Sequence, residues 1–357
     1  MIFLTGGTGF LGMSLIARLL EDEDGPEIVL AVRARDAAGA DERVREVLAK
    51  LYDEPPASVA RVRAVPAELT EPGLGLSADD RRAVLGAERI VHCAASISFT
   101  LPLDSAREIN VGGTKHVLDL ARHADSLERL VHVSTAYVAG RSRGRFREAD
   151  LDVGQTFRNT YERTKAEAEL LLAATDLPSV VVRPSIVVGE SDSGWTSAFN
   201  VIYWPLQAYA RGLVDEIPAD PRGIVDLVPV DHVTDVLHAA TLDPVACGTY
   251  HAVSGDRAPR VSDLMAQASE LLDRPAPRIN NEHAGDDDHP TAVFAPYFDV
   301  DVAFDDRRAR ELVGPAAGGD LLATVLGYAQ ATRWGKRPLT RQAARAAVAE
   351  PAAQRAA

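Results

Sequence analysis

Cysteine, aromatic residues and surplus positive charge are all scarce in this chain. Two isolated cysteines, Cys93 and Cys247, among 357 residues exclude a disulfide framework and a cysteine-rich zinc site. With 38 Lys+Arg against 52 Asp+Glu, the formal net charge is −14. No cation surplus is available to replace phosphate counterions, so nucleic acid is not an expected partner. No run approaches the roughly 18–20 apolar residues of a membrane span, and the opening apolar run Met1–Leu4 meets glycine at once, unlike a signal peptide. These absences predict a cytoplasmic protein with no membrane segment, of a length that suits one large α/β domain or two smaller ones.

What is present is alternation. Short apolar runs at 1–5, 27–32, 62–66, 89–93, 129–134 and 179–183 predict strands. Amphipathic stretches at 11–20, 41–51, 78–85, 103–122 and 156–174 predict the helices between them. That order is the signature of βαβ units, hence an α/β fold with a Rossmann-type doubly wound parallel sheet. After Pro184 the texture changes to a polar Gly/Ser loop and then an aromatic stretch. Strands are expected again at 224–229 and 249–253, and helices at 231–242, with Asp231 as a cap, and 261–272. The domain boundaries predicted are 1–184 with return segments 225–257 for a cofactor domain, and 185–224 with 258–335 for a smaller substrate lobe. The acid-rich 276–289 reads as a mobile loop, and the Ala/Arg-rich end, 336–357, as a frayed tail.

The first strand runs into Thr5-Gly6-Gly7-Thr8-Gly9-Phe10-Leu11-Gly12 and then a helix. Glycines at 6, 9 and 12 meet three mechanical needs: a tight turn, close approach of backbone to a pyrophosphate, and close packing of helix on strand. Amides and dipole at the helix start then face the phosphates. The second strand ends Val32-Arg33-Ala34-Arg35, where a binder of NAD usually carries an acid for the ribose 2′-hydroxyl. Guanidiniums at Arg33 and Arg35 suit a 2′-phosphate instead, and the cofactor expected is NADP(H). Asp36, one step on, stands against that expectation.

Tyr161 and Lys165 lie four residues apart at the start of a predicted helix, which puts both on one face. A phenol with a pKa of about 10 is a poor proton shuttle at neutral pH, and an ammonium beside it stabilises the phenolate. The fifth strand ends Val131-His132-Val133-Ser134-Thr135, bringing hydroxyls to the sheet edge where open α/β folds hold ligands. His92, His232, Asp235 and the run 286–289 lack ligand-cluster spacing, and no metal is expected. Ser134 lacks the glycine elbow of a hydrolase.

With these motifs in order, the chain resembles the extended short-chain dehydrogenase/reductase superfamily over about residues 1–320. The motifs are the glycine loop, His92-Cys93-Ala94-Ala95, Asn110-Val111-Gly112-Gly113-Thr114, Ser134-Thr135, Tyr161 with Lys165, and Arg183-Pro184-Ser185. Within the superfamily it is most similar to the thioester reductase and fatty acyl-CoA reductase, or male-sterility-like, branch. Carrying that similarity are Val32-Arg33-Ala34, Ala94-Ala95-Ser96-Ile97-Ser98-Phe99, His132 to Val138, and Ser185-Ile186-Val187-Val188-Gly189-Glu190. The resemblance implies that Thr135 is the catalytic hydroxyl, with Ser134 as runner-up, and that Lys165 contacts the nicotinamide ribose. It further implies a cofactor lined by Ala94, Ala95 and Pro184, with Leu69, Ser96, Asn110, Ser185 and Val187 nearby. Glu68 stands where many relatives carry an Asp near the adenine. Dimerisation through the helices at 103–122 and 156–174 is common in the superfamily, so a monomer or homodimer is expected.

The reaction expected is NADPH-dependent reduction of an acyl thioester, on coenzyme A or an acyl carrier protein, to aldehyde or alcohol. The alternatives are reduction of a ketone or aldehyde of a hydrophobic natural product, sugar-nucleotide epimerisation or dehydration with NAD, and a dinucleotide sensor without chemistry. Ser98 and Phe99 are candidates for the substrate side. Trp195, Phe199 and Tyr203 either wall an acyl pocket or pack between lobes. The cations of Arg141, Arg143, Arg145 and Arg147 either form a solvated loop or steer a substrate's phosphates.

Overall fold

A computed structural model of the chain describes residues 1–280, 297–298, 300–316 and 319–355, with side chains as far as residue 349. β1 (Ile2–Thr5) passes through the glycine loop into α1 (Phe10–Leu19), β2 (Ile28–Val32) into α2 (Ala37–Leu51), and β3 (Val62–Pro66) towards α3 (Ala78–Leu85). After β4 (Arg89–His92) the sequence predicts one helix over 103–122. The structure has three pieces instead: α4 (Leu103–Arg107), a π segment Glu108–Gly112, and α5 (Gly113–Arg122). The wider turn carries Asn110, whose buried amide ties the loop after β4 to a helix further on. A single inserted turn of this kind marks many functional sites.

β5 (Arg129–Val133) is followed by the short β6 (Gly144–Phe146), then α6 (Thr160–Ala173), β7 (Ser179–Pro184) and β8 (Ile186–Val188). Next come α7 (Tyr203–Ala210), β9 (Glu216–Ile217), β10 (Leu227–Pro229), α8 (Val230–Leu242) and β11 (Gly248–Ala252). The chain closes with α9 (Val261–Leu272), β12 (Arg278–Ile279), β13 (Val302–Phe304), α10 (Arg307–Val313), α11 (Leu321–Ala331) and α12 (Arg341–Arg355).

The main sheet has seven strands in the order β3-β2-β1-β4-β5-β7-β11, all parallel. It contains the six strands expected from the alternating pattern, and β11 extends the β7 edge. Ile2, Phe3 and Leu4 are fully buried, as a strand covered by helices on both faces must be. Leu4, with α1, α2 and α8, builds the core on one face; Phe3, with α3 and α5, builds it on the other. A third core gathers Tyr137 with Tyr203, Leu206 and Leu326. Burying each such Leu or Phe contributes roughly 1.5–3 kcal/mol. Strand order reverses between β1 and β4, and open α/β sheets leave a crevice at such a point.

Three local expectations are corrected. Asp231 does not cap α8: its carboxylate accepts from the Ser191 amide and hydroxyl instead, pinning the loop after β8. In 276–289, Arg278–Ile279 is a strand paired with β9, and 281–289 lies outside the described residues. The expected frayed tail is helix α12, and its anchor is electrostatic. Arg341 and Arg345 both reach the buried Glu190, at 2.5 Å and 2.9 Å. Burial pushes the Glu190 carboxyl up, but the two guanidiniums outweigh it and hold it low. Trp195 Nε1 donates to Leu339 O, and Gln342 accepts from the Asp53 and Glu54 amides. Among the described residues no helix is long and apolar enough to cross a membrane.

Candidate active site

A cavity of about 570 Å³ opens where the β1 and β4 ends part. Of the residues expected to hold a cofactor, Thr5, Gly6, Thr8, Gly9, Arg33, Glu68, Leu69, Ala94 and Ala95 line it. The glycines divide by cause. Gly6 has φ +76° and presses on β4, so that a Cβ there would stand 2.5 Å from the Ala94 nitrogen. A Cβ on Gly12 would stand 2.2 Å from Gly6 O. Gly7 is buried against Leu30 and Ile16 and faces the core. Gly9 is different: φ −83°, ψ 170° is a conformation open to any residue, and a Cβ would meet only Gly6 O, at 3.3 Å. No backbone strain demands glycine there, and the one close neighbour of a Cβ, Gly6 O, would need to give by only a few tenths of an ångström. Gly9 caps α1 without a side-chain bond, so the first-turn amides stay available to an anion. The residues present therefore fit a dinucleotide.

Arg33 lines this cavity, and its partner is Arg43 of α2, not Arg35, which lies outside. Arg43 donates to Arg33 O at 2.7 Å. Asp36 is occupied elsewhere, since its carboxylate caps α2 by accepting from the Gly39 amide at 2.8 Å. Glu68 accepts from the Thr70 amide and hydroxyl. Ser96 and Asn110 bond each other and line neither this cavity nor the next. Asn110 also donates to Thr164 of α6 at 2.9 Å, so it aligns the β4 loop with that helix.

A second, more apolar chamber of about 300 Å³ adjoins the first, and Gly6, Gly9, Cys93 and Ala95 line both. Into it come Ser134, Thr135 and Tyr161, with Phe10, Leu11, Phe99, Pro184, Ser185 and Val187. Asn159 caps α6 by accepting from the Glu162 amide, and this places Tyr161 in the first turn. Burial pushes the Tyr161 phenol up to about 12, while hydrogen bonding toward Thr135 pulls the other way. Thr135 Oγ1 donates to Pro184 O at 3.3 Å. The buried Ser134 hydroxyl has no partner among the described residues. Lys165 is not turned onto the phenol as its spacing suggests. It is 3% exposed and donates to Val133 O at 2.7 Å, because a buried ammonium needs an acceptor. Burial pushes it down to about 8, with Glu169 opposing, so it stays charged at neutral pH. Its field reaches His92, Cys93 and His132 at the sheet edge.

On the substrate side Phe99 lines the chamber and Ser98 does not. Trp195, Phe199 and Tyr203 also lie outside its lining and pack in the hydrophobic cores. Trp195 is 1% exposed and its ring meets Phe10, Phe199 meets Tyr203 and Tyr328, and the Tyr203 hydroxyl accepts from the Gly189 amide. The chamber is also lined by Tyr137, Asn200, Val201 and Tyr297; Tyr137 lies in the His132 to Val138 motif, and the other three belong to none of the sequence motifs. Tyr297 packs its ring 4.9 Å from those of Phe99 and Tyr137 and accepts from Asn159 Nδ2 at 2.9 Å. His92 sits in the strand core, bonded to Thr5 and Thr114, and burial pushes it down to about 3. Cys93 lines both cavities with a thiol that burial pushes up to about 11.

The family model for male sterility protein, an NAD-binding family, matches residues 4–237. The chain belongs to that family. It is an extended short-chain dehydrogenase/reductase of the fatty acyl-CoA reductase-like branch. Fatty acyl-CoA reductase wat of Drosophila melanogaster is 30% identical over 278 residues, covering 68% of this chain and 54% of that protein. Human fatty acyl-CoA reductase 1 is 32% identical over 276 residues, covering 67% and 54%. The chain thus spans about half the length of these relatives. Among solved structures, the terminal R domain from the myxalamid PKS-NRPS biosynthetic pathway superposes with TM-score 0.80 at 25% identity, covering 95% of this chain and 92% of that one. The reductase (R) domain of a Mycobacterium tuberculosis nonribosomal peptide synthetase shares the fold, with TM-score 0.68 at 20% identity over 94% and 92%.

Proposed function

We propose that this member of the male sterility family is an NADPH-dependent reductase of acyl thioesters held on coenzyme A or a carrier protein. It takes them to the aldehyde, which either leaves or is reduced a second time to the alcohol. The observation that carries this reading is the meeting of Thr135 and Tyr161 in an apolar chamber that shares a wall with the dinucleotide cavity. The relatives' names point to the same class of substrate. Residues 1–184 with 225–257 hold the cofactor in this reading, and 185–224 with 258–335 close over the acyl group.

A reduced nicotinamide dinucleotide, held by the glycine loop with Arg33 and Arg43, would supply hydride to the thioester carbonyl. The protein's part is to receive the negative charge that develops on the carbonyl oxygen. Thr135 and Tyr161 donate hydrogen bonds to it, and donors fixed in a water-poor site are worth far more than in water. Tyr161, with its phenol held protonated, then gives its proton to that oxygen. The charge of Lys165 beneath the sheet edge offsets the phenolate left behind. The neutral hemithioacetal expels its thiol, and the aldehyde is free to leave or to be reduced again at the same hydroxyls.

The test is a balance of products. Each NADPH consumed with an acyl-CoA is expected to release one free thiol when the aldehyde leaves, and half as many thiols as NADPH if it proceeds to the alcohol. Turnover of ketones without thiol release, and none of thioesters, refutes the reading. The 2′-phosphate is assigned to Arg33 and Arg43. Each charge-assisted contact is worth about 1.5–3 kcal/mol, so Arg33→Ala with Arg43→Ala is expected to cut NADPH affinity by 10²-fold or more. NADH affinity should hold within about twofold, as read by fluorescence titration.

A further inference from the structure

A third cavity, of about 530 Å³, has an unusual lining. Arg141, Arg143, Arg158, Arg222 and Arg260 converge there, with Asp220 and Asp301 as the carboxylates and Ser142 as a hydroxyl. They come from four separate stretches: the loop before β6, the approach to α6, the turn before β10, and the residue before α9. In a chain of net charge −14, five guanidiniums gather here; Arg143, Arg158 and Arg222 have carboxylate partners, and Arg141 and Arg260 have no ion pair among the described residues.

The two carboxylates do not neutralise the group. Asp220 is occupied by Arg222, through both oxygens at 3.0–3.2 Å, and Asp301 sits a loose 3.9 Å from Arg143. Among the described residues Arg260 donates only to the backbone, at Arg222 O. The Arg141 guanidinium makes no hydrogen bond or ion pair among the described residues, although its backbone is fixed to Thr156 O. Arg158, its side chain 3% exposed, is held by Gly140 O and Glu162, with a buried Nε that has no partner among the described residues. This cavity shares no lining residue with the dinucleotide cavity, so a cofactor phosphate does not account for it.

Its position relative to the hydroxyls fits a substrate. Arg158 is three residues from Tyr161, and Arg141 six from Thr135, which bounds their Cα separations at about 11 Å and 22 Å. A pantetheine arm separates thiol from phosphate by the length of four to five extended residues, roughly 15 Å. We propose that this arginine basin binds the phosphate or pyrophosphate at the far end of the pantetheine arm of the thioester substrate, so that the acyl group reaches Thr135 and Tyr161. The inference rests on the thioester-reductase reading. The shared chemistry is a phosphate ester, and coenzyme A or a phosphopantetheinylated carrier protein each supplies it.

The full chain and an Arg141→Ala/Arg260→Ala double variant are compared on acyl-CoA, on an acylated holo carrier protein, and on acyl-N-acetylcysteamine, which has the thioester but no phosphate. The expected result is at least a tenfold loss of kcat/KM, carried by KM, on whichever phosphate-bearing substrate is natural. The loss on acyl-N-acetylcysteamine should stay within twofold. Binding of coenzyme A and of holo and apo carrier protein, measured by calorimetry, gives the same comparison without turnover. A variant that loses nothing on either phosphate-bearing substrate overturns the basin and leaves the reductase standing. An equal loss on all three substrates, or on apo and holo carrier alike, overturns it too. A wild-type chain that reduces no thioester refutes the reductase reading, and the calorimetry still decides whether the basin holds a phosphate.

Discussion

Tyr161→Phe is expected to lower kcat by about 10²–10⁴-fold, the usual worth of a positioned general acid, and to leave NADPH affinity within about twofold. The reasoning starts from the phenol's surroundings. Burial drives its pKa up to about 12, so in the free protein Tyr161 is a neutral donor at any physiological pH. The variant removes that donor and nothing of the helix: Asn159 still caps α6, and the Phe99 ring, 5.9 Å away, keeps its aromatic neighbour. Thr135 remains as the second donor, which is why residual turnover is expected above background. Stopped-flow NADPH oxidation with saturating thioester measures the loss, and fluorescence titration measures the retained affinity. A variant with full turnover removes Tyr161 from the chemistry; one that no longer binds NADPH makes it a structural residue.

The parts of this site that are legible in sequence are those that local physics fixes. The glycine loop is readable because a tight turn, a close strand and a close ligand each exclude a side chain, and each exclusion has its place in the fold. Tyr161 and Lys165 are readable because helical periodicity places them on one face, although spacing alone could not say that the ammonium would turn to Val133 O. The groups that escaped come from long-range closure. Tyr297 reaches the chamber from 136 residues beyond Tyr161, and no local pattern ties the two together. Arg43 acts beside Arg33 because α2 starts at Ala37, a consequence of Asp36 serving as cap and not as a ribose ligand. Helix α12 hides for the opposite reason. Its sequence has few large apolar residues, and its hold is a pair of arginines on a carboxylate 151 and 155 residues away. The aromatic stretch from Trp195 misleads as a pocket wall because the same residue types serve a hydrophobic core equally well.

Gly9→Val and Gly6→Val are expected to fail in opposite ways, and the contrast tests whether the first cavity holds a dinucleotide. At Gly9 the backbone already has the extended conformation that a β-branched residue favours. A Cβ meets only Gly6 O, which needs to give by a few tenths of an ångström. The fold is therefore expected to survive, with Tm within about 3 °C, a shift worth no more than about 1 kcal/mol in a chain of this size. The isopropyl group stands where a pyrophosphate must approach the α1 amides. NADPH affinity is expected to fall at least 100-fold, about 2.7 kcal/mol. At Gly6 the φ of +76° is itself costly for a β-branched residue. The new Cβ would also meet the backbone of Cys93 and Ala94 at 2.5–2.8 Å, and the β1 and β4 ends cannot separate without losing register. Loss of about 4 kcal/mol or more of stability is expected, read as a collapse of the denaturation midpoint, with cofactor binding lost as a consequence. If Gly9→Val binds NADPH as the wild type does, the close approach of a phosphate to this turn is wrong, and with it the placement of the nicotinamide beside Thr135 and Tyr161.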